Sequence, residues 1–415
     1  MHPAESHGTA ASTPGTPSVC IAFAYGCPRA QSDLALLYRY FERNGWTCVD
    51  RAPEADLVVV SMCGVTEEVQ HQSLQLLSDL RRPLRSGTRL VAVGCLPGIQ
   101  PDQLRRDYGC LTVPPRDLTA LDGIIGARVP LRDVPDLNAF DPLVRRAYAV
   151  FGRISRFRSW LLRARAVPVT PLRLLVKVGR LIAKGGLRRE PVFFLRIARG
   201  CLGECSYCAV RFAAGTLISK PVDEIVSEFR GGLASGARHF KLLAGYVACY
   251  GQDIGTNLPA LLRRILQHQG QYVLHLADLH PAWLLAFKHD FLEVLAAYPQ
   301  HFGELLIPAQ SGSDRILQAM GRGHTAEDLL DLVGGIRRAA PGAVLHTHVL
   351  IGFPGETQED FEATLDFLEC ARFDRIVVYP YSDRPGTPAS NLPGHVAPRV
   401  IRDRIRRLRK RFPRT

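Results

Sequence analysis

Cys201, Cys205 and Cys208 stand in the stretch Arg199-Gly-Cys-Leu-Gly-Glu-Cys-Ser-Tyr-Cys208. Three thiolates at this spacing can hold three irons of a [4Fe–4S] cube and leave the fourth open, whereas such clusters normally take four cysteines. An iron free to bind another ligand points to a redox enzyme rather than an electron carrier. A structural zinc site is the alternative, because closely spaced cysteines also hold zinc. It needs a fourth ligand nearby, and no His or Cys follows Cys208 before His239.

Three more cysteines follow apolar runs in the first part of the chain. Cys27 lies in Tyr25-Gly-Cys-Pro-Arg29, Cys63 in Val60-Ser-Met-Cys-Gly-Val65 and Cys95 in Val93-Gly-Cys-Leu-Pro97. The runs 19–24, 57–61 and 90–93 read as buried strands, and the patterns at 32–44 and 101–107 as helices. Strands alternating with helices predict an α/β fold with a doubly wound parallel sheet. The carboxyl ends of its strands converge on one crevice, so three widely spaced cysteines can meet there. Any one alone reads as a buried thiol; their shared placement suggests a second cluster with an open iron. Cys20, Cys48, Cys110, Cys249 and Cys370 read as core residues.

The alternation resumes after residue 190. Strands are expected at 192–197, 240–243, 272–277, 305–307, 344–351 and 375–379, with helices at 222–234, 258–267, 283–297, 326–339 and 357–370. Six strands with intervening helices predict a partial (β/α)6 barrel, with its chemistry at the carboxyl ends of the strands. The cysteine triad follows the first of them. A basic helix, 397–412, comes last, with Pro398 in its first turn, where a missing N–H costs nothing.

A chain of 415 residues, 47% of them apolar, carries two or more domains. Eleven cysteines at this length suit a reducing compartment, the cytoplasm, and not a secreted disulfide framework. No apolar run is long enough to span a membrane. Residues 1–18, rich in Ala, Ser, Thr, Pro and Gly, read as a disordered tail. The net charge of +13 is local: residues 145–189 hold 13 Lys and Arg and no acid, which leaves 39 basic residues against 39 acidic ones elsewhere. Helical spacing of Val144, Ala147, Phe151, Ile154, Phe157 and Leu161, and again of Leu174, Leu175, Val178, Leu181 and Ile182, gives two amphipathic helices there. Their apolar faces would cover a core while the arginines meet water, RNA, an acidic partner or the surface of an anionic membrane. The expected organisation is a tail (1–18), an α/β domain (19–130), a basic helical insertion (131–190), the barrel (191–396) and a basic C-terminal helix (397–415).

The whole pattern resembles the radical S-adenosylmethionine (SAM) methylthiotransferases over roughly residues 19–129 and 191–412. Besides both cysteine sets, the matching residues are Pro308-Ala-Gln-Ser-Gly-Ser-Asp-Arg315, Gly352-Phe-Pro-Gly-Glu356, Arg384-Pro-Gly-Thr-Pro-Ala389 and Ser219-Lys-Pro221. His280-Pro281 looks like the branch that acts on adenosine 37 of tRNA. The resemblance implies that Cys201, Cys205 and Cys208 hold the [4Fe–4S] cluster that cleaves SAM, and that Cys27, Cys63 and Cys95 hold an auxiliary cluster carrying sulfur. It implies two SAM molecules, one giving a methyl group and one a radical, and conversion of C–H to C–SCH3 on a modified tRNA adenosine, a peptide or a small metabolite. It places Tyr207, Gln310, Ser311, Ile351, Gly352 and Phe353 around the cofactor or substrate. It also implies an electron donor of flavodoxin or ferredoxin type and a sulfur donor. Radical SAM chemistry of another kind, sulfur insertion or dehydrogenation, is the first alternative. A non-enzymatic iron–sulfur or zinc protein that binds RNA or membrane is the second.

Some positions depart from the family pattern. Ala244-Gly245-Tyr246 lacks the usual acceptor for the amino group of SAM, Ala214 replaces an Arg, His348 an Asp and Asp278 a hydroxyl residue. The chain stops where tRNA-modifying members carry an RNA-binding β-barrel, and the basic segment 145–189 is an addition. Either that segment substitutes as the RNA grip, or the substrate is a peptide or metabolite.

Overall fold

The computed structural model describes residues 16–23, 27–136 and 192–413. The expected tail, apart from residues 16–18, and the basic segment 145–189 lie outside the described residues.

Runs of β-branched residues build the first sheet. It contains β1 (Ser18–Phe23), β2 (Thr47–Cys48), β3 (Leu57–Ser61), β4 (Arg89–Val93) and β5 (Leu111–Val113), all parallel, in the order β2-β1-β3-β4-β5. Both faces are buried, as a continuous apolar strand requires. Val19, Ile21, Val59, Val91 and Val93 pack against Leu34, Leu37, Tyr40 and Phe41 of the helix Pro28–Arg43. Cys20, Val58, Val60 and Ala92 face the other way, onto Leu77 of the helix Glu67–Arg81. The direction of winding reverses between β1 and β3, which opens a crevice at their carboxyl ends. The helix Glu67–Arg81 was not marked by the sequence pattern, because it buries only Ser73 and Leu77 and is otherwise polar or half-exposed.

β6 (Val192–Arg196) begins the second sheet. β7 (Ala198–Arg199) and β8 (Ile218–Ser219) then pair antiparallel as a small clamp. β9 (His239–Leu243), β10 (Val273–Leu276), β11 (Phe302–Leu306), β12 (Val344–Ile351) and β13 (Arg375–Pro380) complete a six-stranded parallel sheet in the order β13-β12-β11-β10-β9-β6. Phe193, Leu195, Phe240, Leu242, Leu274, Leu276 and Leu305 pack outward beneath the covering helices. The outer strands β6 and β13 are not paired with each other, so the barrel is open, as six strands predict. The helix expected over 283–297 is two helices, Pro281–Ala286 and Lys288–Ala297, separated at Phe287 (φ −132°, ψ 36°), whose ring packs into the core. No Pro or Gly marks that break, so periodicity alone runs through it.

The helix Pro398–Arg411 packs against β12 and β13 at one edge of the sheet. Ile401 presses on Gly352, where an added Cβ would lie 2.4 Å from the Ile401 side chain. Buried Arg404 pairs with buried Glu356 at 2.6 Å, and Glu356 also accepts from the Gly352 N–H at 2.8 Å. Removing one partner of a buried pair leaves an uncompensated charge, at a cost of about 3–5 kcal/mol. Arg404→Met is therefore expected to destabilise the protein by about that amount in urea denaturation, and Glu356→Gln added to it to recover most of the loss.

Candidate active site

The thiol triad sits on an excursion between the two strands of the clamp. Gly200 (φ +75°) turns the chain into it; a Cβ there would lie 1.7 Å from the Thr216 carbonyl oxygen, so only glycine fits. The Cys201 N–H donates to the Gly215 carbonyl at 3.1 Å, closing the base of the loop. Ser206 anchors its middle: its hydroxyl donates to the Ala319 carbonyl (2.8 Å), its N–H to Met320 (3.0 Å), and its carbonyl accepts from Ala389 N–H (2.9 Å). Cys201 Sγ accepts the Gly203 N–H at 3.2 Å. Cys205 is instead surrounded by side chains: Arg322 Nη1 at 3.3 Å, Tyr246 Oη at 3.4 Å and His280 Nε2 at 4.0 Å. Burial, followed by the charge of Arg322, lowers the His280 pKa to about 2, so its imidazole is neutral.

The second set stands at the crevice of the first sheet. Cys27 caps the helix Pro28–Arg43, its Sγ accepting the Ala30 N–H at 3.4 Å. Cys63 follows β3 by two residues and is held by buried Ser73, which accepts the Cys63 N–H and donates to its carbonyl, both at 3.1 Å. Cys95 opens the short helix Cys95–Ile99 directly after Gly94 (φ +99°), where a Cβ would lie 2.7 Å from the Met62 carbonyl oxygen.

The second set lines a cavity whose far wall is built by residues flanking the triad loop, although none of the triad thiols lines it. Its walls include Cys27, Cys63 and Cys95 from the first sheet and Gly200, Val210, Ala214, Leu243 and Gly245 from the barrel. Arg29 also lines it, and its charge acts on five of the six thiols, those of Cys27, Cys63, Cys95, Cys201 and Cys208. Burial works against that charge, but Asp278, Cys27, Cys95 and Cys208 hold the guanidinium above its usual range. Asp278 follows β10 with φ +50°, a strained backbone of the kind that clusters at functional sites. Asp278 also acts on His348, whose pKa burial lowers and Asp278 opposes. Two departures from the family pattern thus lie within electrostatic reach of each other. Nothing in the sequence marked Arg29, since a single Arg in a helix's first turn carries no motif; its place two residues after Cys27 was the only available signal.

A latch of buried charges joins the two halves beside the cavity. Arg196 of β6 reaches Asp33 (2.8 Å), Ser32 (2.7 Å) and Asp136 (3.4 Å). Arg199 adds contacts to Asp33 (3.0 Å) and Asp136 (3.5 Å), and Lys220, from the matching Ser219-Lys-Pro221, bonds Asp136 at 3.2 Å and Glu228 at 2.6 Å. Arg384, from the Arg384-Pro-Gly-Thr-Pro-Ala389 stretch, bonds Gln70 and acts on the Cys63 thiol.

The other expected cofactor residues fall in two groups. Phe353 lies in the buried cluster of Ile316, Met320 and Leu350, with Tyr207 packed against it, while Ile351 is buried in the main barrel core; Tyr207 bonds Cys205, and Gly352 takes φ +88°. Gln310 has φ +71° after β11, exchanging backbone bonds with His348 and Leu350 at 2.8 and 2.9 Å. The Ser311 hydroxyl is engaged within the protein, by Thr364 at 3.2 Å and the Ser313 N–H at 3.1 Å, so it shapes the loop. Tyr246 turns its hydroxyl to Cys205, and a Cβ on Gly203 would lie 2.5 Å from its ring.

The donor sets fit iron–sulfur clusters. All six cysteines are free thiols. Burial pushes the Cys95 thiol up to about 12 and Cys201 up to about 11, so these groups give up their protons only to a bound cation such as iron. Gly94, Gly200 and Gly245 keep side chains out of the surroundings; a Cβ on Gly245 would lie 2.0 Å from the Gly200 carbonyl oxygen. His280 Nδ1 and Arg322 Nε, both buried near Cys205, have no hydrogen-bond partner among the described residues, a mark of a site built for something more.

The Radical SAM superfamily matches residues 195–368, and uncharacterized protein family UPF0004 matches residues 20–113. A probable threonylcarbamoyladenosine tRNA methylthiotransferase of Pyrococcus horikoshii is 30% identical over 394 residues, covering 93% of this chain and 82% of that protein. A tRNA-2-methylthio-N(6)-dimethylallyladenosine synthase of Cereibacter sphaeroides is also 30% identical, over 90% of this chain and 78% of its own length. The ribosomal protein uS12 methylthiotransferase RimO of Myxococcus xanthus is 29% identical over 94% of this chain and 75% of its own. In fold, the chain is similar to the radical SAM methyltransferase TsrM of Kitasatospora setae, solved with cobalamin and a [4Fe–4S] cluster (TM-score 0.59, 18% identity, 90% of this chain and 77% of that one). Among the described residues no helix is long and apolar enough to cross a membrane.

Proposed function

The chain belongs to the radical SAM methylthiotransferases, and on that premise we propose that it converts C–H to C–SCH3 on a modified adenosine of tRNA, using two clusters and two SAM molecules. When bound, SAM with a [4Fe–4S] cluster would supply the radical chemistry that breaks the C–H bond, and a second cluster would supply the sulfur. Cys201, Cys205 and Cys208 would hold the first, and Cys27, Cys63 and Cys95 the second. The observation that carries this reading is Arg29, which stands on the wall of the cavity lined by Cys27, Cys63 and Cys95 and whose charge also reaches Cys201 and Cys208. Two separate structural sites would not need a shared cation. Tyr207, Gln310 and Ile351–Phe353 border the cofactor, Ser311 orders the loop beside them, and Asp278 supplies a negative charge within reach of Arg29. Val210, Ala214 and Leu243 give the cavity an apolar wall, against which charged groups such as Arg29 act more strongly than they would in water.

The tRNA assignment is supported by the two relatives named for tRNA adenosines and by His280-Pro281, whose imidazole lies beside Cys205. A flavodoxin- or ferredoxin-type protein would deliver electrons, and a separate donor would replace the sulfur. A reducing cytoplasm suits both. Mass spectrometry of tRNA nucleosides from cells with and without the gene tests the assignment. A methylthioadenosine that disappears with the gene supports it; an unchanged tRNA profile with a lost methylthio group on a ribosomal peptide or metabolite would move the substrate. Turnover should yield both S-adenosylhomocysteine and 5′-deoxyadenosine, and absence of the former would assign sulfur insertion or dehydrogenation instead.

A further inference from the structure

Cys205 differs from its two companions in what surrounds its sulfur. Cys201 and Cys208 take backbone N–H groups, from Gly203 and from Val210 and Arg211. Cys205 meets Arg322 Nη1 at 3.3 Å and Tyr246 Oη at 3.4 Å. Arg322 is fully buried and among the largest side chains that are. Its Nη2 donates to the Pro308 carbonyl at 2.6 Å, which aims the guanidinium edge at the sulfur. Burial works against its charge, and Tyr207, Cys205 and Tyr246 hold it protonated. No acidic side chain forms an ion pair with Arg322 among the described residues, and the group its Nη1 meets is the Cys205 sulfur.

A buried cation is costly unless something negative compensates it. Here that compensation would come from the sulfur of a cluster ligand, and it grows when the cluster gains an electron. Hydrogen bonds to ligand sulfurs and local charge are the established levers on iron–sulfur potentials. We infer that Arg322, assisted by Tyr246, is a positioning residue that acts through Cys205 to raise the reduction potential of the cluster held by the triad. The inference rests on the reading of Cys201, Cys205 and Cys208 as cluster ligands.

The test is a potentiometric titration of the anaerobically reconstituted full chain, following the electron paramagnetic resonance signal that changes when SAM is added. Arg322→Gln is expected to lower the midpoint so that, at the wild-type midpoint, the reduced fraction falls about tenfold relative to the oxidised one, equivalent to about 59 mV. Arg322→Lys, which keeps the charge and loses the fork, should fall between. Tyr246→Phe removes one hydroxyl and no charge, and serves where Arg322→Gln fails to fold; it should shift the same ratio about threefold. A purely structural role predicts less cluster at an unchanged potential, and that result in any folded variant overturns the inference. A wild-type protein with no SAM-responsive signal overturns the cluster reading itself, and the inference with it.

Discussion

Alanine at Cys201, Cys205 and Cys208 together is expected to abolish SAM cleavage and lower bound iron from about eight to about four per chain. Alanine at Cys27, Cys63 and Cys95 should lower iron equally but leave 5′-deoxyadenosine formation in place, while methylthio product falls below detection. The asymmetry follows from the two positions. The triad lies on its own clamped loop, whose hydrogen bonds from Cys201 to Gly215 and from Ser206 to Ala319, Met320 and Ala389 all stay within the barrel half. The auxiliary set hangs from three strand ends of that sheet. Anaerobic iron and sulfide analysis, with chromatography of the nucleoside products, reads both arms. Equal loss of 5′-deoxyadenosine from both variants would mean that the sets form one interdependent site.

Arg196→Met should be the most damaging single change outside the thiols. It leaves Asp33 and Asp136 buried against each other, with Arg199 and Lys220 only partly compensating. Loss of one partner from a buried pair costs about 3–5 kcal/mol, a large share of the 5–15 kcal/mol that folded proteins typically hold. Because this latch joins the halves across the cavity, urea denaturation should change from one transition to two. Product yield per SAM cleaved should fall more than SAM cleavage itself. A single transition with unchanged coupling would show that the latch is not what keeps the halves together.

Much of this was legible in the residues. Buried strands announced themselves as β-branched runs, and the cysteines by where those runs ended. Helix ends were clear where side chains cap them, as at Thr325 and Thr357. The break at Phe287 and the polar helix Glu67–Arg81 escaped, because both are decided by packing on distant elements rather than by local pattern. The site's electrostatics escaped for the same reason. Arg29 and Arg322 look like ordinary surface arginines in sequence, and only the fold turns them inward toward thiols. The Ser311 hydroxyl reads as a ligand group because it follows a strand, but Thr364, far along the chain, claims it.

The latch also governs how this protein can vary. Asp136 is fastened to Arg196, and β6, the strand that carries Arg196, begins at Val192. Departure and return are therefore moored at one wall. Closing a loop between fixed ends becomes only about 0.6 kcal/mol harder with each doubling of its length. An insertion or deletion between these moorings would leave Asp136, Arg196 and the wall beside the thiols where they are.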